Sequence, residues 1–74
     1  MSIISISKGK RLTSREKEVL FWVANGKTAW ETAVILNISK STVVSHLRNS
    51  RDKLETVNVV QTIVEAMRRS EIRL

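Results

Sequence analysis

Two helix starts stand close together in residues 28–54, TAWETAVILNISKSTVVSHLRNSRDKL, and the short stretch between them dictates how the helices meet. Thr28-x-x-Glu31 has the form of a capping box. In such a box the hydroxyl accepts from an otherwise unpaired backbone amide, and the carboxylate reaches back to the amide of the capping residue. The helix it opens runs to about Leu36. Asn37 follows within Leu36-Asn37-Ile38-Ser39, and asparagine is the non-glycine residue best suited to a left-handed turn position. Ser39 then caps a longer helix, roughly Lys40 to Leu54. A short helix, a four-residue turn and a longer helix make a helix-turn-helix, whose second helix suits the major groove of DNA.

The remaining signals extend this all-α pattern. Thr13-x-x-Glu16 is another capping box and opens a helix to about Asn25, with Leu12, Val19, Leu20 and Val23 available to a core. Gly26 can take the left-handed conformation that closes it. Small Ala33 lets another helix approach closely, and Asn58-x-x-Gln61 resembles a further capping box. The expected helices are therefore about 14–25, 29–36, 40–54 and 59–69, with no persuasive strand and no proline. Residues 1–11 read as a flexible arm or linker stub, and 12–74 as one folded domain.

With 74 residues the chain has room for one small core and no second. Thirteen Lys and Arg against seven Asp and Glu give a net charge of +6, which fits a nucleic-acid or anionic-membrane partner. The apolar runs are too short to span a bilayer, and the start MSIISISKGKR lacks the apolar core of a secretory signal. Without cysteine there is no disulfide or thiolate site, which fits a reducing compartment. The single His46 has no second histidine or cysteine to complete a metal site and reads as a packing residue that touches a phosphate at most. Trp22 and Trp30 read as core or rim packing rather than as stacking platforms for single strands. No nucleophile–base pair or glycine-rich phosphate loop is evident, so no enzyme and no cofactor are expected.

At about 100° per residue, Val43, Leu47, Ser50 and Leu54 share one stripe of the third helix and face the core. Ser50 is its polar member, and its hydroxyl can bond back to the carbonyl four residues earlier. The opposite face carries Ser41, Val44, Ser45, Arg48 and Asp52. Arginine can donate two bonds to guanine, serine can bond several base edges, and valine can pack on a thymine methyl, so Val44, Ser45 and Arg48 are the expected base readers. Lys40, Arg51 and Lys53 are better placed for phosphates, as is the helix N-terminus at Ser39, Lys40, Ser41 and Thr42.

In the fourth helix, Val59, Val60, Ile63, Val64, Ala66 and Met67 occupy an apolar arc of about 160°, wider than the roughly 100° a surface helix needs. The surplus points to Val60, Val64 and Met67 as a surface that buries against another chain.

Residues 12–54 resemble the LuxR-type (LuxR/FixJ/GerE) helix-turn-helix domain of bacterial regulators. The matching residues are Leu12-Thr13-x-Arg15-Glu16-x-Glu18-Val19-Leu20, Gly26-Lys27-Thr28, Glu31-x-Ala33, Leu36-x-Ile38-Ser39, Thr42-Val43-x-x-His46-Leu47 and Lys53-Leu54. Lys27-Thr28-Ala29-Trp30-Glu31 looks most like the subgroup that senses acyl-homoserine lactones in quorum sensing, whose ligand sits in a separate N-terminal domain. The resemblance therefore implies no small-molecule site within this chain. It gives Glu16, Leu20 and Gly26 structural roles, sets Lys27, Thr28 and Trp30 near the DNA backbone, and sets Val44, Ser45 and Arg48 at base edges. It also implies dimerisation through the fourth helix. The family often has Lys or Arg at Val44, an apolar residue at Ser50, and Gly or Asn at Glu55. Those departures imply a weaker core and a strained helix stop.

The combined expectation is a cytoplasmic, nucleoid-associated transcriptional regulator, or its DNA-binding domain, that binds double-stranded DNA as a two-fold dimer. A promoter-recognition module like region 4 of sigma factors is a rival that the apolar fourth helix argues against. A rival of another class is an inhibitor that heterodimerises with a full-length LuxR-type regulator, motivated by Val44, Ser50 and the absence of a sensor domain.

Overall fold

A computed structural model describes residues 10–74. Within them the chain forms α1 (Ser14–Ala24), α2 (Ala29–Leu36), α3 (Lys40–Leu54) and α4 (Val59–Arg68), with no strand. The expected helices are thus all present. α1 and α4 stop one residue early, because Asn25 and Arg69 serve as caps whose amides still donate to helix carbonyls. Of the expected N-terminal arm, only Lys10 and Arg11 fall within the described residues, and both are exposed.

The starts follow the caps. Thr13 and Thr28 each accept from the amide three residues on, at 3.1 Å, while Glu16 and Glu31 accept from the capping amides at 2.8 and 2.9 Å. The box expected at Asn58 is offset instead. Asn58 accepts from Gln61 N–H at 2.8 Å, but the Gln61 carbonyl oxygen takes the amide of Val57, at 2.7 Å, rather than that of Asn58. Glutamine is as long as glutamate, and here its reach closes the turn one residue earlier.

All four helices end alike. A left-handed residue turns the chain so that its own amide bonds three residues back and the next amide bonds five back, which satisfies the last carbonyls. The pairs are Gly26 with Lys27, Asn37 with Ile38, Glu55 with Thr56, and Ser70 with Glu71. Gly26 has nothing near its missing side chain, so its φ of 91° is what selects glycine. Glu55 sits at φ 58°, a conformation costing an L-residue roughly 1–2 kcal/mol. Glu55→Gly is expected to stabilise the domain by about 0.5–1 kcal/mol once the extra chain entropy of glycine is subtracted. A thermal melt that fell rather than rose would show that the Glu55 side chain contributes more than the strain costs.

The core has two apolar clusters, and α3 lies across both. Val19, Ala33 and Val43 form one, joined by Val23, Ala29, Leu36 and Ile38 at its margin. Leu12, Leu20, Leu54, Ala66 and Ile72 form the other, joined by Ile63. Leu47 packs against both. Ile72 lies beyond α4, and the left-handed turn at Ser70 brings the tail back to it.

Among the described residues four polar ones are buried, Glu16, Thr32, Ser50 and Thr62, and each has its hydrogen bonds made. Ser50 donates to the carbonyl of His46 at 2.8 Å, the back-bond its place in the stripe predicts. Thr62, a polar residue outside the apolar arc of α4, is buried as well. It donates to the Asn58 carbonyl at 2.7 Å, and the Thr56 hydroxyl donates to it at 2.6 Å. With its hydroxyl satisfied, threonine buries at little more cost than valine.

Candidate nucleic-acid interface

The burial of one stripe of α3 determines what the opposite stripe presents. Val43, Ser50 and Leu54 are buried, and Ser41, Val44, Ser45, Arg48, Asn49 and Asp52 are exposed. The three side chains expected to read bases therefore share one outward face. At its N-terminal end Thr42 N–H donates to Ser39 Oγ at 3.1 Å. Ser39 Oγ lies 3.0 Å from the Ser41 hydroxyl and 2.8 Å from that of Thr42. The sequence thus gathers three hydroxyls at the positive end of the helix dipole, where an anion is favoured.

The cations of the helices differ in their pairing. Arg15, Lys17, Arg68 and Arg69 pair with carboxylates on α1, on α4 or beyond it. Lys40, Arg48 and Arg51 have no ion pair among the described residues. Unpaired cations on one helix face leave that face with a positive field for an anionic partner.

Lys53, expected at the phosphates, has a partner within the fold. Its ammonium donates to Glu16 Oε1 at 2.8 Å, with the lysine side chain 25% exposed and the glutamate side chain 4% exposed. The same oxygen accepts from Thr13 N–H. Burial pushes the Glu16 carboxyl up, but the Lys53 ammonium and the Thr13 amide outweigh it and hold the group below the usual carboxylate range. The folded state then holds this proton more weakly than the unfolded chain. The pair's contribution is complete near neutral pH and fades as pH falls through the carboxylate range. This partnership was missed in the sequence because 37 residues separate the two.

Lys27, Thr28 and Trp30, the other expected backbone contacts, are exposed at the start of α2. Trp30 is 64% exposed, so it is not the core or rim residue the scarcity of aromatics suggested. It stands with Lys27, Glu31, Val34 and Ile35 around a shallow open depression of about 220 Å³. Trp22 does pack, edge-on to Phe21 with ring centroids 5.1 Å apart. The Thr28 amide is the main reason Glu31 titrates below the usual range, with Lys27 adding to it. His46 is half-buried beside Leu47, as a packing residue would be.

On α4, Val60, Val64 and Met67 are 72, 50 and 42% exposed, while Ala66 and Thr62 face the core. The apolar arc is therefore wider than the core uses, and Val60, Val64 and Met67 are its exposed surplus.

Comparison with known proteins agrees with this architecture. The model of the family described as bacterial regulatory proteins, luxR family, matches residues 10–66. The quorum sensing-dependent transcriptional regulator RpaR of Rhodopseudomonas palustris is 47% identical over 64 residues, which are 86% of this chain and 26% of that protein. The transcriptional activator LuxR of Aliivibrio fischeri is 40% identical over 67 residues, 90% of this chain and 27% of that one. The solved structure of the transcription factor GerE superposes with a TM-score of 0.81 at 31% identity, covering 84% of this chain and 92% of that one. This chain thus spans about a quarter of the length of the curated relatives it matches.

Proposed function

The chain belongs to the luxR family of bacterial regulatory proteins, and from that premise we propose that it binds double-stranded DNA sequence-specifically as a two-fold dimer, with α3 in the major groove. The observation that carries this reading is the exposed α3 face, on which Arg48 and Lys40, with half-buried Arg51 beside them, have no ion-pair partner among the described residues. Arg48 and Ser45 read base edges, and Val44 covers a thymine methyl. Lys40 and Arg51, the hydroxyls of Ser39, Ser41 and Thr42, and Lys27, Thr28 and Trp30 hold the backbone, which positions without specifying. The apolar strip Val60, Val64 and Met67 supports pairing of two copies, which would set their α3 helices in successive grooves. In this reading the protein works in the cytoplasm on the nucleoid, with no cofactor and no small-molecule site in this chain.

A binding selection on randomised duplex DNA tests it. Enrichment of a symmetric site with half-sites about 10 bp apart is the expected result. Arg48→Ala is then expected to cost about 1–3 kcal/mol on the enriched site and to relax one base position. An equal loss on every sequence would make Arg48 a phosphate contact.

Exposed Val44 in the middle of the reading face favours a second reading, in which the chain pairs with a longer regulator of the family and blocks it. That reading expects salt-sensitive retention of DNA without an enriched site, together with a tight heterodimer in a pull-down.

A further inference from the structure

We propose that Lys53 and Glu16 form a positioning pair that sets the rotation of α3 about its own axis, so that Lys53 governs base discrimination without touching DNA. The inference rests on the DNA-binding reading above and assigns Lys53 a different role within it.

Apolar contacts fix how deeply α3 sits, but they are non-directional and tolerate rotation. Its buried stripe, Val43, Leu47, Ser50 and Leu54, is narrow, and the polar atom in it bonds within α3, to the carbonyl of His46. Lys53 instead crosses to α1. A charge-assisted hydrogen bond of 2.8 Å onto a carboxylate only 4% exposed is short and directional. The acceptor has a second tie, because Glu16 Oε1 also accepts from the capping amide of Thr13 at 2.8 Å. The cap of α1 thus serves as the anchor for the C-terminal end of α3.

The lever is long enough to matter. An α-helix with side chains has a radius of about 5–6 Å, so a 10° rotation moves a side-chain tip by roughly 1 Å. Recognition groups must be held within about 0.5 Å and 10–20° of their productive geometry. Arg48 and Ser45 stand on the exposed face and, among the described residues, have no side-chain hydrogen bond or ion pair to another helix. Their aim therefore depends on what fixes the helix beneath them.

The test compares Lys53→Met, Glu16→Gln and Lys53→Arg with the unaltered chain, on the enriched duplex and on a scrambled one, across a salt series. Glu16→Gln is the sharper variant, since glutamine keeps the capping oxygen, removes the charge and lies too deep to contact a phosphate. The expected result is a fall of at least about tenfold in the ratio of the two affinities for both Lys53→Met and Glu16→Gln. The salt slope stays unchanged, and Lys53→Arg restores most of the ratio. Lys40→Ala serves as the phosphate control and lowers the slope by about one. A slope lowered by Lys53→Met at an unchanged ratio would overturn the proposal and return Lys53 to the phosphates. So would binding to all duplexes that strengthens in Glu16→Gln as the ammonium is released. A lower melting temperature with both ratio and slope intact would also overturn it, leaving a purely structural ion pair. If the unaltered chain fails to separate the two duplexes, the DNA-binding reading fails first, and that arm reports it independently of any variant.

Discussion

Val64→Asp is expected to weaken binding to a duplex carrying two half-sites by about 10²- to 10⁴-fold while leaving binding to a single half-site almost unchanged. Val64 is half exposed on α4 and is not among the residues that make up or pack against either core cluster, so the isolated domain is expected to keep its fold. What changes is the strip it shares with Val60 and Met67. A carboxylate pressed between two such strips would be desolvated without a partner, and across a two-fold axis it would face its own copy. Pairing is then lost, and each half-site is bound as a separate event. Fluorescence anisotropy on matched one-site and two-site duplexes reads the difference directly. An equal loss on both duplexes would mean that Val64 supports the fold or contacts DNA. No loss on either would mean that the strip is not a dimer surface.

The helix starts were legible because each depends on two residues at fixed spacing, as in Thr13 with Glu16 and Thr28 with Glu31. The turn before α3 was equally plain, since Asn37 tolerates the left-handed conformation it adopts at φ 58°. The stripe of α3 followed from its periodicity, down to the back-bond of Ser50. Glu55 and Ser70 adopt the same left-handed geometry with no local preference for it. Burial of Leu54 and Ile72 on either side imposes those turns, and a burial requirement has no signature in the turn residue itself. The burial of Thr62 has no local signature for a related reason, because it depends on a bond to Thr56 across the α3–α4 turn.

The candidate interface divides in the same way. Membership of the outward face of α3 follows from helical spacing, so Val44, Ser45 and Arg48 were identifiable before any fold was known. What each cation is free to do does not follow from spacing. Lys53 and Arg51 look interchangeable in sequence, yet one is held by Glu16 and the other has no ion-pair partner among the described residues. Trp30 shows the reverse failure, since its hydrophobicity suggests packing while the N-terminal turn of α2 carries it outward. Pairing across distant segments, rather than residue type, is the missing information in both cases.

Leu20→Ala is expected to remove a large share of the domain's stability and to lower its melting temperature steeply. Leu20 is completely buried in the cluster that ties α1 to Leu54 of α3, to Ala66 of α4 and to Ile72 of the tail. Removing a buried leucine side chain costs about 2–5 kcal/mol, because the surroundings collapse only partly into the space. A domain of 74 residues has roughly 4–11 kcal/mol in total, so the loss is a large share of its stability. For a domain of this size each kcal/mol lowers the melting temperature by about 4–8 °C, which sets the expected drop at 10 °C or more. The same cluster seats the C-terminal half of α3, so DNA binding should disappear along the melting curve rather than at fixed temperature. Bound DNA should recover part of the loss by mass action, since only the folded form binds. Circular dichroism melts with and without duplex check both expectations. A drop below about 5 °C would mean that Leu12, Leu54 and Ile72 close over the space, and that this small core is more adaptable than its complete burial of Leu20 implies.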